Sequence, residues 1–261
     1  VVSNPAAGGT RPLHASRGHA RGCRLCWLAA GGGAVSTPSV AEQMKAFWDR
    51  PTEDEAKMVI SSPRHWKAEI VPHLDWILDR DPLVRKHLDA VRDRRVRALE
   101  LGCGIGRLLA PLANLGWSVR GLDISERMLS HATAYLNREL DAKALYPVLG
   151  LIKDGRFPEG ELPSDLDLIY SLMVFQHIPT LGEIRGYLRQ SLAALRPGGL
   201  IRVQTHRGLP PREGTFQGFS GWMFPSLGDF AREFREAGFK VLTEQHGLGA
   251  REWLWITAAR P

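Results

Sequence analysis

The chain is poor in sulfur and has no long apolar run. Cys23, Cys26 and Cys103 are the three cysteines among 261 residues, too few for a disulfide framework, so a reducing, cytoplasmic setting is expected. No apolar run approaches the ~20 residues that a membrane-spanning helix needs. The piece from Leu25 to Ala30 is too short for the core of a secretory signal. A strong field of one sign is also missing. Of the net charge of +6, half falls on residues 1–43, where four arginines face Glu42 alone. The remainder is too weakly basic to suggest a nucleic-acid partner. What remains is ordinary: 44% hydrophobic residues, enough to bury a sizeable core.

Residues 1–43 are rich in Gly, Ala, Arg and Pro and show no helical period, so they read as a disordered tail ahead of a domain at 44–261. The chain opens on Val1 and its first patterned segment on Met44, which suggests that the tail lies outside the native product. Within the tail, Cys23-x-x-Cys26 with His14 and His19 upstream has the residue types of a zinc site. It lacks a second CxxC and an apolar shell, and no metal is expected.

From Met44 the pattern becomes regular. Met44, Phe47 and Trp48 share one helical face, Ile70, Leu74, Ile77 and Leu78 a second, and Pro82 can open a third helix with Leu83, Val84 and Leu88 inward. Residues 44–95 therefore read as a helical cap. Beyond Arg95, apolar strand runs alternate with amphipathic helices, the mark of a doubly wound α/β sheet at 96–261. The strands are expected at Ala98–Leu101, Val119–Leu122, Pro147–Ile152, Leu166–Ser171 and Leu200–Gln204, then after Gly238 and at Trp253–Ala258.

The first strand carries the chemistry. Ala98-Leu99-Glu100-Leu101 runs into Gly102-Cys103-Gly104-Ile105-Gly106-Arg107, and a helical pattern follows. Glycines let backbone approach a ligand closely, and the helix start offers free N–H groups. A second short strand ends at Asp123, 21 residues after Gly102, the spacing at which such folds set a carboxylate on ribose hydroxyls. The nicotinamide fingerprint G-x-G-x-x-G is absent. Counted from Gly102 its last position is Arg107, and from Gly104 it is Leu109.

Glu100-x-Gly102-Cys103-Gly104-x-Gly106 instead resembles motif I of the class I S-adenosylmethionine-dependent methyltransferases. Three further segments resemble that family in order: Asp123-Ile124-Ser125 with Met128 and Leu129, Asp167–Ser171 running to Phe175-Gln176-His177-Ile178-Pro179, and Leu195-Arg196-Pro197-Gly198-Gly199. Together they span roughly residues 95–205. The resemblance implies a Rossmann-like, seven-stranded, mostly parallel sheet with an antiparallel seventh strand between the fifth and sixth. It also implies S-adenosylmethionine as cofactor and methyl transfer by in-line displacement. A small-molecule acceptor is expected. RNA or protein acceptors, a non-catalytic cofactor-binding protein and an aminopropyltransferase are the alternatives.

The resemblance also distributes roles. Gly102, Cys103, Gly104, Gly106 and Arg107 would face the methionine part of the cofactor, with Glu100 binding loop N–H groups or its ammonium. Asp123 would take the ribose hydroxyls, with Ile124 and Met128 beside it. Asp154-Gly155 is either an adenine contact or a turn. His177 is either a general base or a structural histidine, and Gln176 can touch the cofactor. His206 and Arg207 follow the fifth strand, and the loop from Gly208 to Pro225 reads as a substrate cover or an aromatic mini-core.

Overall fold

The computed structural model describes residues 37–52, 66–158, 165–211 and 221–261. The suggested zinc ligands His14, His19, Cys23 and Cys26 lie outside them, as do Arg212, Phe216, Gln217 and Phe219.

Seven strands form one sheet: β1 (Arg97–Leu101), β2 (Ser118–Asp123), β3 (Val148–Leu151), β4 (Leu166–Ser171), β5 (Leu195–His206), β6 (Lys240–His246) and β7 (Trp253–Ala259). Their order is β3-β2-β1-β4-β5-β7-β6. The pairs β1–β2, β1–β4, β2–β3 and β4–β5 are parallel, while β7 is antiparallel to both β5 and β6. The expected topology is therefore present. Period-two alternation divides the core between two faces. Leu99, Leu101, Ile201, Val203, Leu254 and Ile256 pack with one set of helices. Ala98, Leu168, Leu200, Trp253 and Trp255 pack with the other.

β5 departs from expectation. It begins at Leu195 rather than Leu200. Leu195 pairs with Leu166 and Leu200 with Leu168, so the residues between form a bulge in a continuous strand. Gly198 turns through a φ of +75° inside it. The leucines on either side register with β4, and pairing therefore resumes across the Pro-Gly-Gly segment.

The N-terminal helices are α1 (Val40–Trp48), α2 (Ile70–Leu74) and α3 (Pro82–Val91). α1 starts four residues ahead of Met44, at a capping box in which Ser39 and Glu42 exchange backbone N–H bonds. After α2 the chain widens into a π turn at Asp75–Asp79. The outcome is a Trp76 carbonyl that accepts two bonds from Arg202 of β5, at 3.0 and 2.8 Å. The remaining helices are α4 (Leu109–Asn114), α5 (Glu126–Glu139), α6 (Leu181–Ala194) and α7 (Leu227–Glu236). Connections leave the central strand in opposite directions, β1 being flanked by β2 and β4. The crevice at the carboxyl ends of these three strands is the topological switch point, where open α/β sheets take their ligands.

Candidate functional site

A cavity of about 370 Å³ lies at that switch point. The glycine loop forms its floor, and each glycine does a different job. Gly102 has a φ of +72°, and a Cβ there would stand 2.4 Å from a Val174 methyl, so the close approach of the loop after β4 requires glycine. Gly104, at φ +52°, has nothing within 4 Å of the position a Cβ would take. Its open side is where a ligand can lie against backbone. Gly106 packs toward Ala132 of α5, 3.3 Å from a Cβ position, and does not line the cavity. Its role is loop-to-helix packing rather than ligand approach.

Asp123 closes the next strand. Its Oδ2 accepts from the Gly104 N–H at 2.8 Å and its Oδ1 from the Ser125 N–H at 3.0 Å. A carboxylate has about four lone-pair positions, so capacity remains for a ligand. Burial raises the pKa of this group, and the backbone N–H bonds from Ser125, Gly104 and Ile124 oppose the rise. Ser125 caps α5 by accepting from Met128 N–H at 3.0 Å.

Glu100 sits at the end of β1, 5% exposed. Burial pushes its carboxyl up to about 8, against the pull of Arg107 and of the Tyr170 hydroxyl, which donates to Oε2 at 3.3 Å. Cys103 is buried and free, its thiol pushed up by burial and by the neighbouring acids. It packs where a Cβ on Gly121 would stand, which makes it a filler rather than a nucleophile.

α1 covers the cavity. Met44 and Trp48 line it, and the Trp48 ring meets the His177 ring edge-on with centroids 5.3 Å apart. The Ser125 hydroxyl lies 3.1 Å from the Trp48 carbonyl and 2.7 Å from Asp49 Oδ1. The helix is thereby tied to the turn that also holds Asp123. The helix therefore both packs on that turn and lines the cavity.

The sequence candidates Glu100, Gly102, Cys103, Gly104, Arg107, Asp123, Ile124, Met128, Asp154, Gly155 and His177 line this one cavity. Asp154 and Gly155, at φ 50° and 69°, make a two-residue turn closed by the Lys153–Arg156 bridge; turn residue and cavity wall coincide. Gln176 is buried behind His177, its Nε2 3.3 Å from His177 Nε2, and it does not line the cavity. His206 stands apart from the cavity as well. Its ring lies against Trp253 at 6.1 Å, while Arg207 pairs with Glu252 at 2.9 Å. In the following loop, Phe224 is buried against Phe230. Gly221 donates to the Gln176 carbonyl at 2.6 Å, and Trp222 donates to the Ile178 carbonyl at 2.7 Å. These described residues form an aromatic mini-core.

A family model described as a methyltransferase domain matches residues 99–201, the span from β1 to β5 that builds the cavity floor. Residues 99–201 are thus similar to a methyltransferase domain, and the sheet built around them has the class I methyltransferase fold. A ubiquinone biosynthesis O-methyltransferase from Caulobacter sp. strain K31 is 30% identical over 112 residues, 42% of this chain and 40% of that protein. One from Rhizobium rhizogenes is 29% identical over 162 residues, 62% and 59% of the two chains. The chain thus spans about half the length of these curated relatives. The magnesium protoporphyrin IX methyltransferase of Synechocystis PCC 6803, solved with S-adenosylmethionine bound, has a TM-score of 0.59 at 16% identity, over 87% of this chain and 99% of that one. At that identity the likeness shows a shared fold.

Within this methyltransferase fold, several cavity residues escaped the sequence reading. Met173 lines the cavity with a φ of +60°, and Gln204 Oε1 holds its N–H at 2.7 Å; no sequence pattern marks such a residue. Glu183 and Tyr187 reach the cavity from α6. A signal did exist for the start of α1, since Ser39-x-x-Glu42 is a capping box in plain view.

Proposed function

We propose that the protein transfers the methyl group of S-adenosylmethionine to a small organic acceptor, in the cytoplasm, with residues 44–95 acting as a cap over a 96–261 core. One observation carries the reading. A buried carboxylate with unused lone pairs, Asp123, stands across an open glycine face at Gly104, in a cavity that Met44 and Trp48 of α1 also line. The donor set fits the cofactor on these grounds. Asp123 would hold the ribose, Asp154-Gly155 the adenine end, and Glu100 the methionine end. When bound, S-adenosylmethionine supplies an electrophilic methyl on a sulfonium whose leaving group is a neutral thioether.

The chain's own contribution is mostly positioning, which is worth the equivalent of ~7–11 kcal/mol in well-oriented reactions. Met44 and Trp48 keep water from the cavity, and His177 takes a proton from an acidic acceptor group. Apolar walls at Met44, Trp48, Leu172, Phe175 and Ile178 suit an apolar small molecule better than a polyanion. Relatives named for O-methylation favour an oxygen acceptor. Isothermal titration with S-adenosylhomocysteine, with NAD in a parallel cell, is expected to show micromolar binding of the former alone. Binding of NAD alone, or of neither, rejects the reading. If binding succeeds but no metabolite in an acceptor screen gains a methyl, RNA and protein acceptors come next, and failure there leaves a non-catalytic cofactor-binding protein.

Glu100 gives this reading a pH signature. Its carboxyl is raised to about 8 by burial, so at neutral pH the empty site holds it mostly protonated. A cationic ammonium favours the ionised form, and its binding releases the proton. Affinity for S-adenosylhomocysteine is therefore expected to rise with pH, roughly tenfold per unit, and to level off near that pKa. Titration in two buffers of different ionisation enthalpy reads the released proton, and Glu100→Gln should remove both the release and the slope. A flat wild-type profile from pH 6 to 8 would show that Glu100 does not meet the ammonium.

A further inference from the structure

His73 enters neither the sequence reading nor the proposed chemistry, yet it is buried to 3% exposure and lies against the cavity wall through Arg107. Its Nδ1 is 2.7 Å from Arg107 Nη1. A guanidinium has only donors, so Nδ1 is the acceptor and the ring proton is on Nε2. That nitrogen faces Glu69 at 3.8 Å, and the ring packs on Trp76 with centroids 4.8 Å apart. Burial and the adjacent guanidinium push the imidazole down to about 3, which keeps it neutral and accepting at any ordinary pH.

Arg107 is 6% exposed and lines the cavity. Among the described residues it makes no ion pair within 4.0 Å. Its direct partner is the neutral His73 ring, while Glu100, Glu69, Tyr135 and Tyr170 act on it through space. A desolvated guanidinium with one donor on an imidazole keeps the others for an anion, and its planar fork matches a carboxylate. The cavity therefore has a buried carboxyl at the end of β1 and a buried guanidinium at the far end of the glycine loop, with no ion pair between them. That is the complement of an α-amino-acid zwitterion.

We infer that His73 is the positioning residue that aims Arg107 at the carboxylate of the cofactor's amino-acid end, the end beside which the motif I resemblance already sets Arg107 and Glu100. This rests on the S-adenosylmethionine reading. It adds to that reading a role for His73 and with it for α2.

The test compares S-adenosylhomocysteine with its decarboxylated form by isothermal titration of the full chain. Wild type is expected to prefer the carboxylate-bearing ligand by roughly tenfold or more, the range for hydrogen bonds to charged groups. Arg107→Met should erase that preference. His73→Leu should reduce it severalfold with little change for the decarboxylated ligand. His73→Asn, whose Oδ1 falls near the place of Nδ1, should restore most of it. A merely structural histidine would weaken both ligands alike and would not be rescued in this selective way. If wild type binds S-adenosylhomocysteine but shows no preference, or if the folded His73→Leu variant keeps the full preference, the inference fails alone. If wild type binds neither ligand, the cofactor reading itself fails and this inference with it.

Discussion

Asp81→Ala is expected to lower the unfolding free energy by roughly 3–5 kcal/mol, the cost of leaving the partner of a buried ion pair uncompensated. Asp81 and Arg202 are both fully buried and lie 2.9 Å apart. Thr257 and Thr243 donate to the same Oδ2 at 2.6 and 2.5 Å, and the Leu83 N–H donates to Oδ1 at 2.9 Å. One carboxylate thus joins the start of α3 to β5, β6 and β7. Without it, Arg202 retains the Trp76 carbonyl and Gln245 but loses its only counter-charge among the described residues. Burial alone would raise this carboxyl; the threonine hydroxyls, the Leu83 N–H and Arg202 outweigh it and hold it below the ordinary range. A depressed carboxylate contributes stability that is present above its unfolded pKa of ~3.9 and is lost as pH falls through the folded value. Urea unfolding at neutral pH reads the loss directly, and the gap between wild type and variant should narrow on acidification. A loss under about 1 kcal/mol would mean that the network is dispensable. Cofactor affinity should survive in whatever fraction stays folded, because none of these groups lines the cavity.

Most of the fold was legible because its signals are local and redundant. Ala98–Leu101 and Leu166–Ser171 are mostly apolar runs, broken by Glu100 in the first and by Asp167 and Ser171 in the second, as fits strands buried on both faces. The glycine loop and Asp123 announce themselves by spacing. What was not legible depends on contacts far apart in the chain. Nothing near Arg202 in sequence predicts that it lies beneath Trp76 and Asp81, more than a hundred residues earlier. The pairing of Leu195 with Leu166 across the Pro-Gly-Gly segment depends on β4. Position at a strand's carboxyl end was also an incomplete guide to the site. His177 follows β4, whereas His206, expected after the fifth strand, is the last residue of β5; the 175–178 turn brings His177 under Trp48, while the antiparallel pairing of β5 with β7 sets His206 against Trp253. The three alternate glycines looked equivalent as letters, and only the surroundings separate Gly104, open to the cavity, from Gly106, closed by Ala132.

Asp123→Ala is expected to weaken S-adenosylhomocysteine binding by about 1.5–3 kcal/mol, roughly 10- to 150-fold, the range for hydrogen bonds to a charged acceptor. Two losses combine. The direct one is the acceptor for the ribose hydroxyls. The indirect one is the Gly104 N–H, which loses its 2.8 Å partner just where the loop presents its open face. Asp123→Asn is not a gentle control. The two oxygens of Asp123 each accept from a backbone N–H, and an amide would turn an NH₂ toward one of them. It should therefore approach the alanine variant in binding. Fold stability should respond less than binding. Burial raises the pKa of Asp123, so the empty protein holds this carboxylate at a cost that is recovered only when its free lone pairs are used. Linkage gives the same sign: a raised carboxyl contributes less stability as pH rises through its folded pKa. Thermal melts with and without ligand separate the two effects. Wild type should gain several degrees with saturating S-adenosylhomocysteine, and the variant should start from a similar melting temperature and gain almost nothing. An unchanged ligand-induced gain in Asp123→Ala would remove Asp123 from the site and leave the Gly104 face without its anchor.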